Sequence, residues 1–340
     1  MSRIVRFHSL GGPEVLQFDE LDLGPPGPGE VRIRVRALGL NRAESMFRRG
    51  IYPEVAELPA KLGYEAAGEV EAVGEGVTGL IPGDVVSTIP AFSMNRYGVY
   101  GEIAIVPASV VVKHPASLSH PEAASVWMKY LTAYGAMVEY GHVSAGQHVI
   151  ITAASSCIGI AAIQIANSLG AIPIATTRTA AKRQALLGEG AAHVIVTDEQ
   201  DVAAEVQRLT EGKGASLAVD PIGGPGVEAL VSALGENGIL VPYGVLTSEP
   251  TPFPLVAALA RNLTIHAFTM PFLTRDPARM EQGKNFVLDG IAAGHFKPVI
   301  ARTFPFEEIA EAHRYMESNQ HVGKIVVTLE KTNAKNTLSL

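Results

Sequence analysis

Between His148 and Lys182 the chain reads HVIITAASSCIGIAAIQIANSLGAIPIATTRTAAK, and this segment restricts the fold more than any other. Val149 to Thr152 is an apolar run with β character, and Ala153 to Gly159 supplies a turn of small residues. Ile160 to Leu169 then resumes at helical spacing until Gly170 stops it. A second strand follows over Ile172 to Thr177. Strand, tight turn, helix and strand in this order predict one unit of a doubly wound α/β sheet.

A turn of this kind can hold a dinucleotide. Backbone N–H groups and the positive end of a helix bind the pyrophosphate, which requires small residues where strand passes into helix. Only Gly159 stands where the strict G-x-G-x-x-G pattern wants glycine. Ala153, Ser156 and Gly159 have the A-x-x-G-x-x-G spacing with serine in the middle place. The serine has a Cβ, yet its hydroxyl can give a phosphate one more donor. Ser156, Cys157, Ile158 and Gly159 are therefore the expected phosphate contacts. About twenty residues further on, an NAD site carries a carboxylate for the ribose 2′-hydroxyl, whereas an NADP site carries a cation for the 2′-phosphate. This chain has Thr176, Thr177, Arg178, Thr179 and Lys182 there, with no carboxylate among them. Charge-assisted bonds from Arg178 and Lys182 to a 2′-phosphate are worth roughly 1.5 to 3 kcal/mol each. The expected cofactor is NADPH; the bland reading of the same residues is a solvated start of a helix.

Length and composition fit a two-part enzyme. At 340 residues the chain exceeds the usual size of one domain, and 47% hydrophobic residues suffice for two cores. A net charge of -7 argues against a phosphate-backbone binder, so no nucleic-acid partner is expected. The single cysteine, Cys157, rules out an internal disulfide and a four-cysteine zinc site. The N-terminus MSRIVRFHSLGGPEVL lacks the apolar core of a signal peptide, and Ser155, Ser156, Gly159 and Gln164 interrupt the one long apolar stretch. A cytoplasmic protein with no membrane partner is expected.

Organisation along the chain is uneven. From Met1 to about Pro121, β-rich pieces at Glu30 to Ala37, Gly68 to Val73 and Asp84 to Thr88 alternate with turns such as PPGPGE and IPGD. From about Glu122 helix and strand alternate, with further strands at His193 to Thr197, Leu217 to Asp220, Ile239 to Tyr243 and Thr264 to Phe268. With the two already named they make six, the count of a complete doubly wound dinucleotide fold. Near the end stand a helix at Phe306 to Met316 and a strand at Lys324 to Thr328, and only the tail Lys331 to Leu340 reads as disordered.

Several motifs in one order resemble the medium-chain dehydrogenase/reductase superfamily, in its zinc-free quinone oxidoreductase or zeta-crystallin-like branch. They are LGLNRAESMFRRGIYP at 38 to 53, LGYEAAGEVEAVGEGV at 62 to 77, YLTAYGAM at 130 to 137, the cofactor stretch, and HVGKIVVTL near the end. The resemblance implies a mostly β, GroES-like substrate domain at 1–122, a Rossmann cofactor domain at 123–266, and a return to the substrate domain at 267–340. Members that use catalytic zinc carry Gly-His-Glu where this chain has Gly63-Tyr64-Glu65, and a thiolate near position 41, where it has Asn41. Without those ligands a tetrahedral N/S site cannot form, so no metal is expected. Loss of the Lewis acid favours acceptors that delocalise the incoming charge, such as quinones and enones.

The resemblance further implies Asn41 and Thr132 beside the nicotinamide, Tyr52 lining the substrate side, and Tyr64 as donor of a hydrogen bond or proton. Tyr243 and Gly244 after the fifth strand, Phe268 and Met270 after the sixth, and Lys324 are implied as further cofactor contacts. Phe268 and Met270 can equally be core, Lys324 a surface cation, and each tyrosine a packed ring. Cys157 has two readings: a redox or alkylation sensor at the phosphate loop, or a small residue that fills the turn. The expected activity is NADPH-dependent reduction of quinones or α,β-unsaturated carbonyl compounds by a homodimer. An alcohol, ketone or enoyl-thioester reductase of the same superfamily is the alternative, and a non-catalytic NADPH-binding or crystallin-like RNA-binding protein is the alternative of another class.

Overall fold

The computed structural model describes residues 1–329, and the tail expected to be disordered lies outside them. The described residues form two compact units, 1–128 with 300–329, and Lys129–Val299.

The first unit is built on strand Glu30–Gly39, whose sequence EVRIRVRALG alternates with the period of a half-buried strand. Val31, Ile33, Val35 and Ala37 are buried, while Arg32, Arg34 and Arg36 alternate with them. The arginines pair with Glu71 and Glu69 on the neighbouring antiparallel strand Glu65–Val73, at 2.5, 2.7 and 3.0 Å. These two strands lie in a seven-stranded sheet with Ile300–Pro305, Lys324–Thr328, Val85–Thr88, Val111–Lys113 and Ile103–Pro107. A three-stranded sheet joins Leu16–Leu21, Ser2–Phe7 and Ala60–Lys61.

The second unit holds a six-stranded, wholly parallel sheet. Its spatial order is His193–Val196, Ile172–Thr177, His148–Ile151, Ala215–Asp220, Leu234–Pro242 and Thr264–Ile265, the 3-2-1-4-5-6 order of a doubly wound dinucleotide fold. Such strands are covered on both faces and read as continuous apolar runs. Ile150, Ile174, Ile195, Ala218 and Leu240 accordingly meet Val206, Val227 and Leu230 in one buried cluster. The helix after the first strand is Cys157–Ser168, which starts three residues before the expected Ile160.

Three expectations need adjustment. The sixth strand is two residues long rather than five, and beyond it the backbone keeps only single bonds from His266 to Leu240 and from Phe268 to Pro242. Residues 123–128 belong to the first unit rather than the second, because Ala123 and Ala124 are small enough to pack against Ala37, Ala67 and Val326. Residues 267–299 belong to the second unit rather than the first. Aromatic packing explains this: Phe286 lies 5.0 Å from Tyr134, and Phe296 stacks on Tyr130 at 5.0 Å. Arg279, on helix Pro277–Ala292, pairs with Glu139 and Tyr140.

Candidate functional site

In the first unit, Asn41, Tyr64, Glu65 and Lys324 converge with two residues that sequence reading missed, Glu44 and Tyr100. Asn41 ends the turn after strand Glu30–Gly39 and precedes helix Arg42–Arg48, and the Glu44 carboxylate turns back to accept the Asn41 backbone N–H. That is one half of a capping box, and N-x-x-E before a helix was the signal that could have found Glu44. Lys324 Nζ donates to Asn41 Oδ1 and to Glu65 Oε2, both at 2.5 Å. A lysine ammonium cannot accept, so the amide orientation is fixed: oxygen to Lys324, nitrogen to Glu44, Glu65 and the Gly39 carbonyl.

Burial makes this network costly to break. Asn41 is 5% exposed, Lys324 1%, and both carboxylates 0%. Glu65 Oε1 also accepts the Met128 N–H at 3.0 Å, and Glu44 accepts the Tyr100 hydroxyl at 3.0 Å and the Tyr64 N–H at 3.2 Å. Lys324 pairs directly with Glu65 and acts on Glu44 only through its charge. Burial pushes Glu44 up to about 7, against the opposing pull of Lys324 and Asn41. Asn41 and Lys324 are thus tied to each other and to Glu65 inside the first unit.

Tyr64 is held differently. Gly63 before it has φ +101, and an added Cβ there would stand 2.1 Å from the Tyr100 ring, so only glycine admits the turn that aims Tyr64. The Tyr64 hydroxyl lies 3.3 Å from the Tyr52 hydroxyl, and its ring lies 5.6 Å from Phe92. Burial, reinforced by Tyr52, drives the Tyr64 hydroxyl far above the usual phenol range, and burial raises Tyr52 as well. Two protonated phenols side by side therefore persist through neutral pH, each able to donate a hydrogen bond.

The second unit carries the phosphate loop. Ala153 has φ 45, an uncommon conformation for a residue with a Cβ, and Ser156 caps the helix by accepting the Gly159 N–H at 3.1 Å. A Cβ on Gly159 would stand 2.5 Å from the backbone of Ala154, so this position admits glycine alone. Cys157 and Ile158 open the helix half-buried. Arg178 is exposed just past strand Ile172–Thr177. Lys182 reaches back to the loop, its Nζ 3.0 Å from Ser155 Oγ. Burial lowers the Lys182 pKa, and Arg178 lowers it further, as two cations in one neighbourhood should. A helix start with no side chain at Gly159, flanked by two cations, fits a dinucleotide with a phosphorylated ribose.

The remaining expected contacts divide. Thr132 and Thr177 are buried, at 5% and 8% exposure. Tyr243 and Gly244 follow the fifth strand, Tyr243 buried with its hydroxyl unpartnered among the described residues and Gly244 exposed. Phe268 is 2% exposed, lies 5.1 Å from Tyr140 and presses on Gly135, whose added Cβ would stand 2.2 Å from the ring. Met270, 5% exposed, precedes helix Pro271–Thr274. Phe268 and Met270 are thereby core residues of the second unit. No group of three His, Cys, Asp or Glu side chains arranged to hold a metal ion occurs among the described residues. No helix among them is long and apolar enough to cross a membrane.

Comparison with known proteins gives matches across nearly all of the chain. Residues 27–116 match the alcohol dehydrogenase GroES-like domain family, and residues 189–327 match a zinc-binding dehydrogenase family. The chain is 32% identical to the 2-haloacrylate reductase of a Burkholderia species, over 94% of this chain and 97% of that protein. It is 30% identical to a quinone oxidoreductase of Pseudomonas aeruginosa, over 96% and 99% respectively. Among solved structures, an NAD-dependent alcohol dehydrogenase superimposes with a TM-score of 0.89 at 32% identity, covering 96% of this chain and 100% of the other. Escherichia coli quinone oxidoreductase complexed with NADPH superimposes with a TM-score of 0.87 at 28% identity, with the same coverage.

Proposed function

This chain belongs to the quinone oxidoreductase branch of the medium-chain dehydrogenase/reductase superfamily, and from that premise we propose that it is a cytoplasmic, NADPH-dependent reductase of quinones or α,β-unsaturated carbonyl compounds that uses no metal. The observation that carries this reading is Lys324. Its ammonium takes up Asn41 Oδ1 and Glu65 Oε2, two of the polar atoms nearest the positions where zinc-using members keep their ligands. A cation already balances these donors, which supports a site that works without a metal.

When bound, NADPH supplies a hydride to the acceptor. The protein's own part is to bind and to donate. Arg178 and Lys182 hold the 2′-phosphate, and the start of helix Cys157–Ser168 holds the pyrophosphate. Tyr64 donates a hydrogen bond to the acceptor's oxygen, where negative charge gathers, and Tyr52 orients its hydroxyl. Burial holds the Tyr64 hydroxyl protonated, so it remains a hydrogen-bond donor, and the proton comes from Tyr64 or from solvent. The chain is further proposed to act as a homodimer.

The test measures cofactor binding and turnover together. Arg178→Ala weakens NADPH by about ten- to a hundredfold and leaves NADH nearly unchanged, since each 1.4 kcal/mol is about a factor of ten. NADPH oxidation proceeds with quinones and enones in the presence of a strong chelator, and Tyr64→Phe lowers kcat by about ten- to a hundredfold with NADPH affinity kept. Equal loss of both cofactors in Arg178→Ala would show that Arg178 does not read the 2′-phosphate, and turnover confined to simple ketones and alcohols overturns the reading in favour of the alcohol or ketone reductase.

A further inference from the structure

We infer that Cys157 is a modification site for activated alkenes: its sulfur adds to the β-carbon of an α,β-unsaturated carbonyl compound, and a bound dinucleotide shields it. The inference rests on the proposed function for the identity of the shielding cofactor and extends it to the enzyme's own susceptibility.

Cys157 is the sole cysteine of the sequence and is free. It is the first residue of a twelve-residue helix, so its side chain stands at the positive end of the helix dipole. It is half-buried, as are Ala153, Ser155, Ser156 and Ile158 around it, so the thiol is within reach of a small reagent.

A second observation comes from Tyr243. The residue is 8% exposed and its hydroxyl has no partner among the described residues. It follows the fifth strand, which neighbours the fourth, which neighbours the first, and the first leads into Cys157. The ionisable groups that act on its hydroxyl are Asp220, at the end of the fourth strand, and Cys157. Asp220 is already engaged by the Thr152 hydroxyl and by the N–H groups of Ile222 and Gly223. A buried phenol left without a partner is unfavourable unless water or a ligand completes it. Tyr243 therefore marks a place beside Cys157 that a polar ligand fills, and the dinucleotide is the ligand that the loop fits.

The chemistry balances without an added oxidant or reductant. A C–S bond forms at the β-carbon as the alkene π bond breaks, and the α-carbon takes up the proton that the thiol gave away. The electrophile is of the same class as the proposed substrate. An enzyme without NADPH is thus exposed to inactivation by the compounds that it consumes when NADPH is present.

Intact-mass and peptide analysis after treatment with N-ethylmaleimide, an activated alkene, tests this. NADPH binding to the untreated protein is measured first. The expected result is one adduct per chain, at Cys157, formed at least tenfold more slowly with saturating NADPH; the adduct-bearing protein binds NADPH at least tenfold more weakly. Cys157→Ser gains no mass, which fixes the site of addition. No adduct at Cys157 under conditions that label a free cysteine peptide overturns the inference, as does labelling at one rate with and without NADPH. Untreated protein that binds no NADPH refutes the proposed function together with the shielding, whereas binding without protection refutes the inference alone.

Discussion

At the scale of single residues, two buried groups make stability depend on pH in opposite directions. Glu44 is raised from 4.5 to about 7, chiefly by burial. The native state then holds a proton that the unfolded chain releases, so this contribution is full below pH 4.5 and is lost as pH rises through about 7. Its size is at most about 3 to 4 kcal/mol, at about 1.36 kcal/mol per pKa unit over the rise from 4.5 to about 7. His313 is fully buried with both ring nitrogens unpartnered among the described residues, and burial, with Arg48 adding to it, lowers it from 6.5 to about 3. Its contribution is full above pH 6.5 and is lost as pH falls through about 3. Between pH 4.5 and 6.5 the two slopes oppose each other, and above that only Glu44 remains. Glu44→Gln, which imitates the protonated acid, should therefore show no loss of stability from about pH 5 to about pH 8, while the parent loses part of its own. Urea unfolding of both across that range decides the point, and a constant difference between them would show that Glu44 is ionised throughout.

At the scale of the element, the phosphate loop depends on the contact between its turn and the helix that follows. Gly159→Ala places a methyl 2.5 Å from the Ala154 backbone, which cannot move without displacing the first strand. The expected cost is about 1 to 3 kcal/mol of stability, as for other overpacked sites. NADPH affinity should fall by at least tenfold as the N–H groups move. Gly188→Ala is the control, because nothing lies within 4 Å of its added Cβ; unchanged NADPH binding in both variants would remove the loop from the site. This element was legible in the sequence because strand, turn and helix are contiguous and glycine at 159 has a local cause. The network of Asn41, Glu65 and Lys324 was not, since Lys324 lies 283 residues from Asn41 and no periodicity encodes their meeting. Motif likeness placed those residues near a site, but their partners came only with the fold. The unit boundaries failed for a related reason. Gly and Pro mark where the chain turns, but Phe286 and Phe296 decide which core the segment 267–299 joins, and they do so through Tyr134 and Tyr130, far back in the chain.

At the scale of the whole molecule, the proposed homodimer has a surface on which it can be tested. The sheet of the second unit ends in the two-residue strand Thr264–Ile265, which has a neighbour on one side only among the described residues. Just before it in sequence, Val245, Leu246, Phe253, Leu255, Val256 and Leu259 are all exposed, from 49% for Leu246 to 81% for Val256. Scattered apolar residues on a surface are ordinary, but six within a fifteen-residue stretch beside an open sheet edge are the composition of an interface rather than of a solvated face. Val256→Asp separates the possibilities. In a monomer, a charge at so exposed a position changes stability by no more than about 0.5 kcal/mol. In a dimer the same carboxylate is driven into an apolar contact and left without a partner, which costs several kcal/mol and shifts the equilibrium to monomer at micromolar concentration. Sedimentation should find the parent at twice the 35.9 kDa chain mass and the variant at that mass itself. A parent that sediments as monomer, or a variant that stays dimeric, would show that this apolar stretch is not where two copies meet.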